Sequence, residues 1–496
     1  MDFHVPREAL TMPISLSPFA CATTLVRALR QRKVSAVDLL EAYLGRVDRV
    51  NPLLNAVVVQ DRRAARAQAR KADEEASRGE WRGPLHGLPM TVKEAFDLKG
   101  HATTFGYPSM TGNVATQDAL VVQRLKAAGA IVFGKSNVPL NNGDIQTYNA
   151  VYGTTNNPWD VARGAGGSSG GGAVAMAAGL AGLEYGSDIG GSIRNPAAYC
   201  GVYGHKTTWG IVPKRGHQLA RRPVAEADLG VLGPIARSAV DLALALKATV
   251  GPDLLTSSGA RLGLPAPPKM LKGMRIAVWL DDPLAPVDDA VQAPIAEAAQ
   301  ALRKAGATVD FKARPKFDTQ QAHQTYMVLL AAQAYTRRPD FAQLKALSEQ
   351  LNPSDNSAMA MHLRLATQSF KQHFDAQQQR ETLRWAWHDF FQKYDVMLTP
   401  VTTTAAFKHD HSEPATNRIL TVNGQPTDYF AQLFWAGLAV CPLLPATSAP
   451  VGFTPEGLPV GLQIIGPEMG DFKTIWVAGQ LERLLGGFQA PPGLPD

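Results

Sequence analysis

Apolar residues recur at helical spacing over residues 21–49 (CATTLVRALRQRKVSAVDLLEAYLGRVDR), and the pattern breaks around Lys33-Val34-Ser35. Two short helices are predicted, the second capped by Ser35, whose hydroxyl suits an orphan N–H of the first turn. An Ala-rich basic helix is predicted over 61–78, with Arg62, Arg66 and Arg70 on one face. The run closes on Asp73, Glu74 and Glu75, so it reads as a solvated surface helix, not a nucleic-acid or membrane patch. Further along, one grammar occurs twice. A helical pattern at Gln117–Ala128 meets Gly129 and the apolar run 130–133; another at Val291–Ala305 meets Gly306 and 307–311. Helix, glycine cap and buried strand is α/β grammar. Arg275–Trp279, Val396–Thr399 and Val460–Ile465 are further strand candidates. Residues 252–273 form a Pro/Gly-rich connector, and 320–394 is helical, rich in His and Gln, with no readable motif.

Composition narrows the class. The chain has 496 residues, 45% hydrophobic and 19% charged, which excludes intrinsic disorder and predicts a large core. A net charge of +6 is spread over this length and supports no nucleic-acid surface. Cys21, Cys200 and Cys441 are too far apart for a zinc site or a disulfide framework. The opening MDFHVPREAL has no apolar core of a secretory signal, and Ala173–Leu183 is too short to span a bilayer. A cytoplasmic protein with no membrane or nucleic-acid partner is expected.

Candidate chemistry gathers where glycine does. One cluster is GAGGSSGGG (164–172), followed directly by an Ala-rich helix; the second is GSDIGGSIRNP (186–196). Glycines permit left-handed backbone and close approach, and successive N–H groups in such turns can converge on an anion. A serine there is a candidate nucleophile with a ready oxyanion hole. A flexible linker is the alternative, and the adjoining apolar helix speaks against it. Three literal motif matches fail on context. Residues 129–136 fit the P-loop pattern, but their variable positions are themselves the strand, and Pro139 interrupts the required helix. Residues 166–170 fit GxSxG, yet 156–165 do not read as the strand that elbow needs, and no histidine downstream announces itself as a triad member. His409-Asp410-His411 has no third ligand at a telling spacing and reads as a solvated loop. With no histidine base, a lysine in the apolar run LPMTVK (88–93) draws attention. Burial there would push the Lys93 amine toward its neutral, proton-accepting form. A lone lysine in such a run is more often snorkelling or paired, and Lys93 gains weight only beside the serine turns.

Taken together, these stretches resemble the amidase signature family of serine hydrolases. The matching runs are HGLPMTVKEAFDLKG (86–100), GKSNVP (134–139), YGTTNNPWD (152–160), GGSSGGGAVAMAAG (166–179), YGSDIGGSIRNPAAYCGVYGHKTT (185–208) and GLPVGLQIIGP (457–467). The resemblance implies one α/β domain over 1–496, with a mixed, mostly central β-sheet covered by helices on both faces. Its catalytic core would lie at about 80–240 and a variable substrate-side region at about 270–450. It implies a Ser-cisSer-Lys triad: Ser192 as nucleophile, Ser168 bridging after a cis Gly167–Ser168 bond, and Lys93 as base. The N–H groups of Ile189, Gly190, Gly191 and Ser192 would form the oxyanion hole, with Asp188, Arg194 and Ser169 structural. No cofactor or metal is implied. Three departures stand out: Ala165 for the usual Pro, Gly172 for Ser or Glu, and His205-Lys206-Thr207-Thr208 for Leu-Lys-Pro-Thr. Asn142 and Gly143 are expected to border the acyl pocket. Phe434, Trp435, Cys441 and Leu443 are assigned either to an apolar wall or to ordinary core.

The expected activity is hydrolysis of small, apolar or aryl amides, extending to carbamates (urethanes) and esters, by a monomer or homodimer. The alternative is the glutamine-hydrolysing subunit of a tRNA-dependent amidotransferase, which requires partner subunits and a charged glutamine pocket.

Overall fold

The computed structural model describes residues 17–219, 225–335, 340–355 and 358–494. The opening segment read above for a signal, and the two ends of the 1–496 span, lie outside them. The first two helices form as the periodicity predicts, over Ala22–Arg30 and Ala36–Leu54, and the Ser35 side chain accepts the Asp38 N–H at 2.9 Å. The basic helix is Arg62–Ser77. Its arginine face is not simply solvated. Arg62 pairs with Asp48, and Arg66 with Glu41 at 2.6 Å, so the face docks on the acidic side of the preceding helix. Such solvent-screened pairs serve register more than stability. Both helix–glycine–strand units form: Leu120–Ala127 leads to Ile131–Ser136, and Asp289–Lys304 to Thr308–Asp310.

Eleven strands make one mixed sheet. Its order is Val57–Gln60, Ile131–Ser136, Pro89–Lys93, Glu184–Asp188, Val231–Ala236, Tyr203–Lys206, Ala446–Phe453, Pro459–Ile465, Val396–Pro400, Arg275–Val278 and Thr308–Asp310. All three strands read from their apolar runs are present. The connector 252–273 carries no helix or strand, and most of it is exposed, including Leu255 at 82%. One continuous apolar cluster runs from Leu25 through Val174 and Leu232 to Ile464 and Leu481, so both halves of the sheet share a single core in a large α/β domain. Fourteen α-helices accompany it among the described residues, and none is long and apolar enough to cross a membrane.

What positions the site is a local parallel arrangement. Pro89–Lys93 lies between Ile131–Ser136 and Glu184–Asp188, parallel to both. Parallel neighbours release their chains at the same edge, and loops beyond that edge are where open α/β sheets hold ligands. Lys93, Ser136 and Asp188 are the last residues of those three strands.

Candidate active site

Lys93 is fully buried. Its Nζ lies 2.7 Å from Oγ of Ser168 and 3.0 Å from Oγ of Ser187. Burial pushes the amine from its ordinary value down to about 7, against the pull of Asp188 and Glu184. The neutral amine is therefore abundant near neutral pH. Glu184, also fully buried, hydrogen-bonds Thr91 and accepts Ser136 Oγ at 3.0 Å. Burial holds its carboxyl up at about 8, although those hydroxyls and Lys93 pull the other way. Burial thus shifts both groups toward their uncharged forms, which limits the cost of an unpaired buried charge.

The first serine turn rests on tight backbone packing. The Gly167–Ser168 bond is cis, and the Gly167 N–H donates to Asn195 Oδ1 at 3.2 Å. From sequence this glycine run reads as left-handed backbone or as close approach, and the structure separates the two. Gly166 does take φ 79°, but the glycines at 167 and 170–172 do not appear among the positive-φ positions. They are there for closeness. A Cβ on Gly171 would stand 2.2 Å from Asn137 N and 2.7 Å from Ala56 O. On Gly172 it would stand 2.7 Å from Glu184 Cγ, so this departure from the family pattern makes room for the buried glutamate. Gly171→Ala is accordingly expected to cost about 3 kcal/mol through forced separation of backbone segments. Urea unfolding of the variant checks this; an unchanged midpoint would refute the packing argument.

The second turn follows Glu184–Asp188. Asp188 Oδ1 and Oδ2 take the guanidinium of Arg194 (2.8 and 3.0 Å) and the N–H groups of Gly191 and Ile193 (3.0 and 3.1 Å). Burial alone would raise its carboxyl; Arg194 and these donors overcome that and leave it at about 2. The pair is a brace for the turn, as the resemblance implies. Gly191 turns with φ 92°. Its N–H is engaged by Asp188, whereas among the described residues the N–H groups of Ile189, Gly190 and Ser192 have no partner. These three unpaired amides share one turn with a serine only 7% exposed. The Ser169 N–H donates to the Ser192 carbonyl at 3.0 Å and locks the two serine turns together.

The remaining candidates separate. In the loop at 140–144, the Asp144 carbonyl packs against the first serine turn, 2.5 Å from where a Cβ on Gly167 would lie. Asn142 presents a buried Oδ1 with no partner, and Gly143 is exposed. Trp435 is core, stacked edge-on with Trp279 and donating Nε1–H to the Ala285 carbonyl at 3.0 Å. Leu443 packs in a second apolar cluster with Leu229, Tyr326 and Leu433. Phe434 and Cys441 line a cavity of about 20 Å³ with His323, Tyr326 and Trp387. The P-loop match is occupied by strand Ile131–Ser136. No strand precedes the GxSxG match, and His409 and His411 lie in a loop. No group of three or more potential metal ligands exists among the described residues. His205 and Thr208, at the third departure, bind Asp471 (3.0 and 2.8 Å) and tie the sheet to helix Asp471–Leu485. Sequence reasoning missed Ser187, Glu184, Asn195 and Tyr326. Glu184 alone left a signal, a carboxylate between apolar Leu183 and Tyr185.

A family model for amidases matches residues 38–475. The chain belongs to the amidase family. This amidase-family chain is 34% identical over 483 residues to the glutamyl-tRNA(Gln) amidotransferase A-subunit of Geobacillus stearothermophilus, covering 92% of this chain and 95% of that one. Among solved structures it is similar to a bacterial aryl acylamidase of the amidase signature family, with TM-score 0.80, 25% identity and coverage of 94% and 96%. It is also similar to the glutamyl-tRNA(Gln) amidotransferase A-subunit of Thermotoga maritima, with TM-score 0.76, 26% identity and coverage of 96% and 99%. These likenesses span both halves of the sheet. The chain is thus an amidase-family enzyme, an amidohydrolase.

Proposed function

We propose that the protein hydrolyses small amides through an acyl-enzyme on Ser192. The observation that carries the reading is the 2.7 Å approach of a buried Lys93, its amine held down at about 7, to Ser168, beside a turn with three unpaired amides. Neutral Lys93 takes the Ser168 proton while Ser168 takes that of Ser192, and Ser192 Oγ attacks the carbonyl carbon. The N–H groups of Ile189, Gly190 and Ser192 receive the oxyanion, each such donor being worth roughly 3–4 kcal/mol of barrier. Gly191 keeps the turn in shape through Asp188. The proton returns through Ser168 to the leaving nitrogen, and the C–N bond breaks. Water, deprotonated by the same relay, then cleaves the ester and restores Ser192.

The substrate is assigned as an apolar or aryl amide, with carbamates and esters open to the same acyl chemistry. Support comes from the apolar residues that pack around the oxyanion turn: Leu433 and Ala436 beside Gly190 and Gly191, and Leu229, Trp209 and Phe430 in the same apolar cluster as Ile189. The charged groups close to it include two already paired sets, Asp228 with Arg380 at 2.6 Å and Asp144 with Arg418 at 2.7 Å. Free glutamine needs one anion for its ammonium and one cation for its carboxylate. The second reading, glutamine hydrolysis within an amidotransferase assembly, is favoured by the activity named for the curated relatives. On the first reading, residues of about 80–240 form the catalytic core, 270–450 shape the substrate side with Asn142 and Gly143, and the chain works as a monomer or homodimer. Turnover of an aryl anilide, a carbamate and glutamine by the isolated protein decides between them. Anilide or carbamate cleavage is expected; glutamine as the single substrate turned over would replace this reading with the second.

A further inference from the structure

The helix Thr319–Tyr335, in the segment without a readable motif, sends one polar contact to the oxyanion turn. Tyr326 is 1% exposed, and its phenol O–H donates to the Ile189 carbonyl at 2.9 Å. That carbonyl belongs to the same peptide unit as the Gly190 N–H, one of the unpaired amides. The peptide is trans, so its C=O and N–H point in opposite directions. Tyr326 therefore grips the back of the turn while the Gly190 N–H faces the other way, toward the acceptor. The grip is rigid from both sides. A Cβ on Gly437 would stand 2.6 Å from Tyr326 Cδ1, and one on Gly190 would stand 3.5 Å from its hydroxyl and 3.2 Å from Leu433 Cδ2. The ring also lines a small cavity together with His323, Trp387 and Phe434.

We infer that Tyr326 is a positioning residue for the oxyanion hole: its hydrogen bond to the Ile189 carbonyl aims the Gly190 N–H and strengthens it as a donor. A peptide whose carbonyl already accepts a hydrogen bond is polarised, and its N–H binds an anion more strongly. The bond also removes the freedom of that peptide to rotate as charge develops, which is the property an oxyanion hole needs. In this role the phenol acts through the Ile189–Gly190 peptide. The inference rests on the proposed function, since it assumes an oxyanion at this turn.

The test compares wild type, Tyr326→Phe and Gly437→Ala. Each is assayed with the p-nitroanilide of a short apolar acid, and with a fluorophosphonate that phosphorylates a nucleophilic serine. Tyr326→Phe keeps the ring and loses one O–H; kcat is expected to fall about 10- to 30-fold with KM within about twofold. Fluorophosphonate labelling of Ser192 is expected to slow in proportion, because its phosphoryl oxygen occupies the same hole. Gly437→Ala keeps the phenol but displaces the ring, and is expected to lower kcat in the same way, without KM, even if the first variant folds poorly. Wild-type kcat and labelling in either folded variant would overturn the inference. A loss confined to KM would do so too, since it places the phenol on the substrate. Failure of the wild-type protein to label at Ser192 would instead remove the proposed function, and this inference with it.

Discussion

Ser192→Ala is expected to lower kcat/KM for any accepted amide by about 10⁴-fold or more, with no change of fold. The hydroxyl makes up a small part of a turn that is held from elsewhere. Its carbonyl still accepts the Ser169 N–H, and Asp188 still braces Gly191, Ile193 and Arg194. Far-ultraviolet circular dichroism and the thermal midpoint of the variant should match wild type. Ser168→Ala is expected to cost nearly as much, because the Lys93 amine at 2.7 Å then has no hydroxyl through which to reach the nucleophile. The double variant should be no worse than the worse single one, as groups in one relay act as a unit. Residual activity above about one per cent in Ser192→Ala would move the nucleophile elsewhere.

Much of this site could be read from the chain because it is written locally. Each serine sits in its own glycine-rich turn, and Lys93 ends an apolar run; such features need no knowledge of distant contacts. What the sequence did not contain is the reason they meet. Strands Pro89–Lys93 and Glu184–Asp188 lie far apart in the chain, and their parallel pairing alone brings Lys93 and Asp188 to one edge. The glycines illustrate a subtler limit. A run such as 170–172 reads equally as left-handed backbone or as close approach, and only the neighbours Asn137, Thr147 and Glu184 decide for the second.

Other misses share a cause. The helices of 320–394 are visible by periodicity, yet Tyr326 meets Ile189 across 137 positions, and one tyrosine on a helix carries no local mark of that partner. The arginines of Arg62–Ser77 look solvated because their partners, Asp48 and Glu41, belong to the previous helix and lie on a face that only packing defines. Ser187 is hidden by alternation: it is an ordinary strand residue until the Lys93 amine is found 3.0 Å from it.

Lys93→Met should separate a catalytic lysine from a structural one. The substitution keeps volume and removes the base, so kcat is expected to fall about 10³–10⁴-fold. Stability should not fall with it. The buried amine sits at about 7 in the folded chain against 10.5 as its ordinary value, so between those pH values the unfolded chain binds the extra proton. Stability then rises with pH across that window, and below it the folded state carries the full penalty of a buried charge. Methionine removes that penalty, and urea unfolding at pH 7 should find the variant at least as stable as wild type. Activity has the same window for a different reason. Only neutral Lys93 accepts the Ser168 proton, so kcat should fall about tenfold per pH unit below pH ~7 and level off above it. Lys206 is the necessary control, because burial brings its amine to about 7 as well while its Nζ donates to the Thr207 and Leu444 carbonyls (3.0 and 2.6 Å). Lys206→Met is expected to retain the acid limb of the profile. Should that variant lose the limb, the titrating group is Lys206 and the base assignment fails; should Lys93→Met lose stability in parallel with activity, Lys93 is a packing residue.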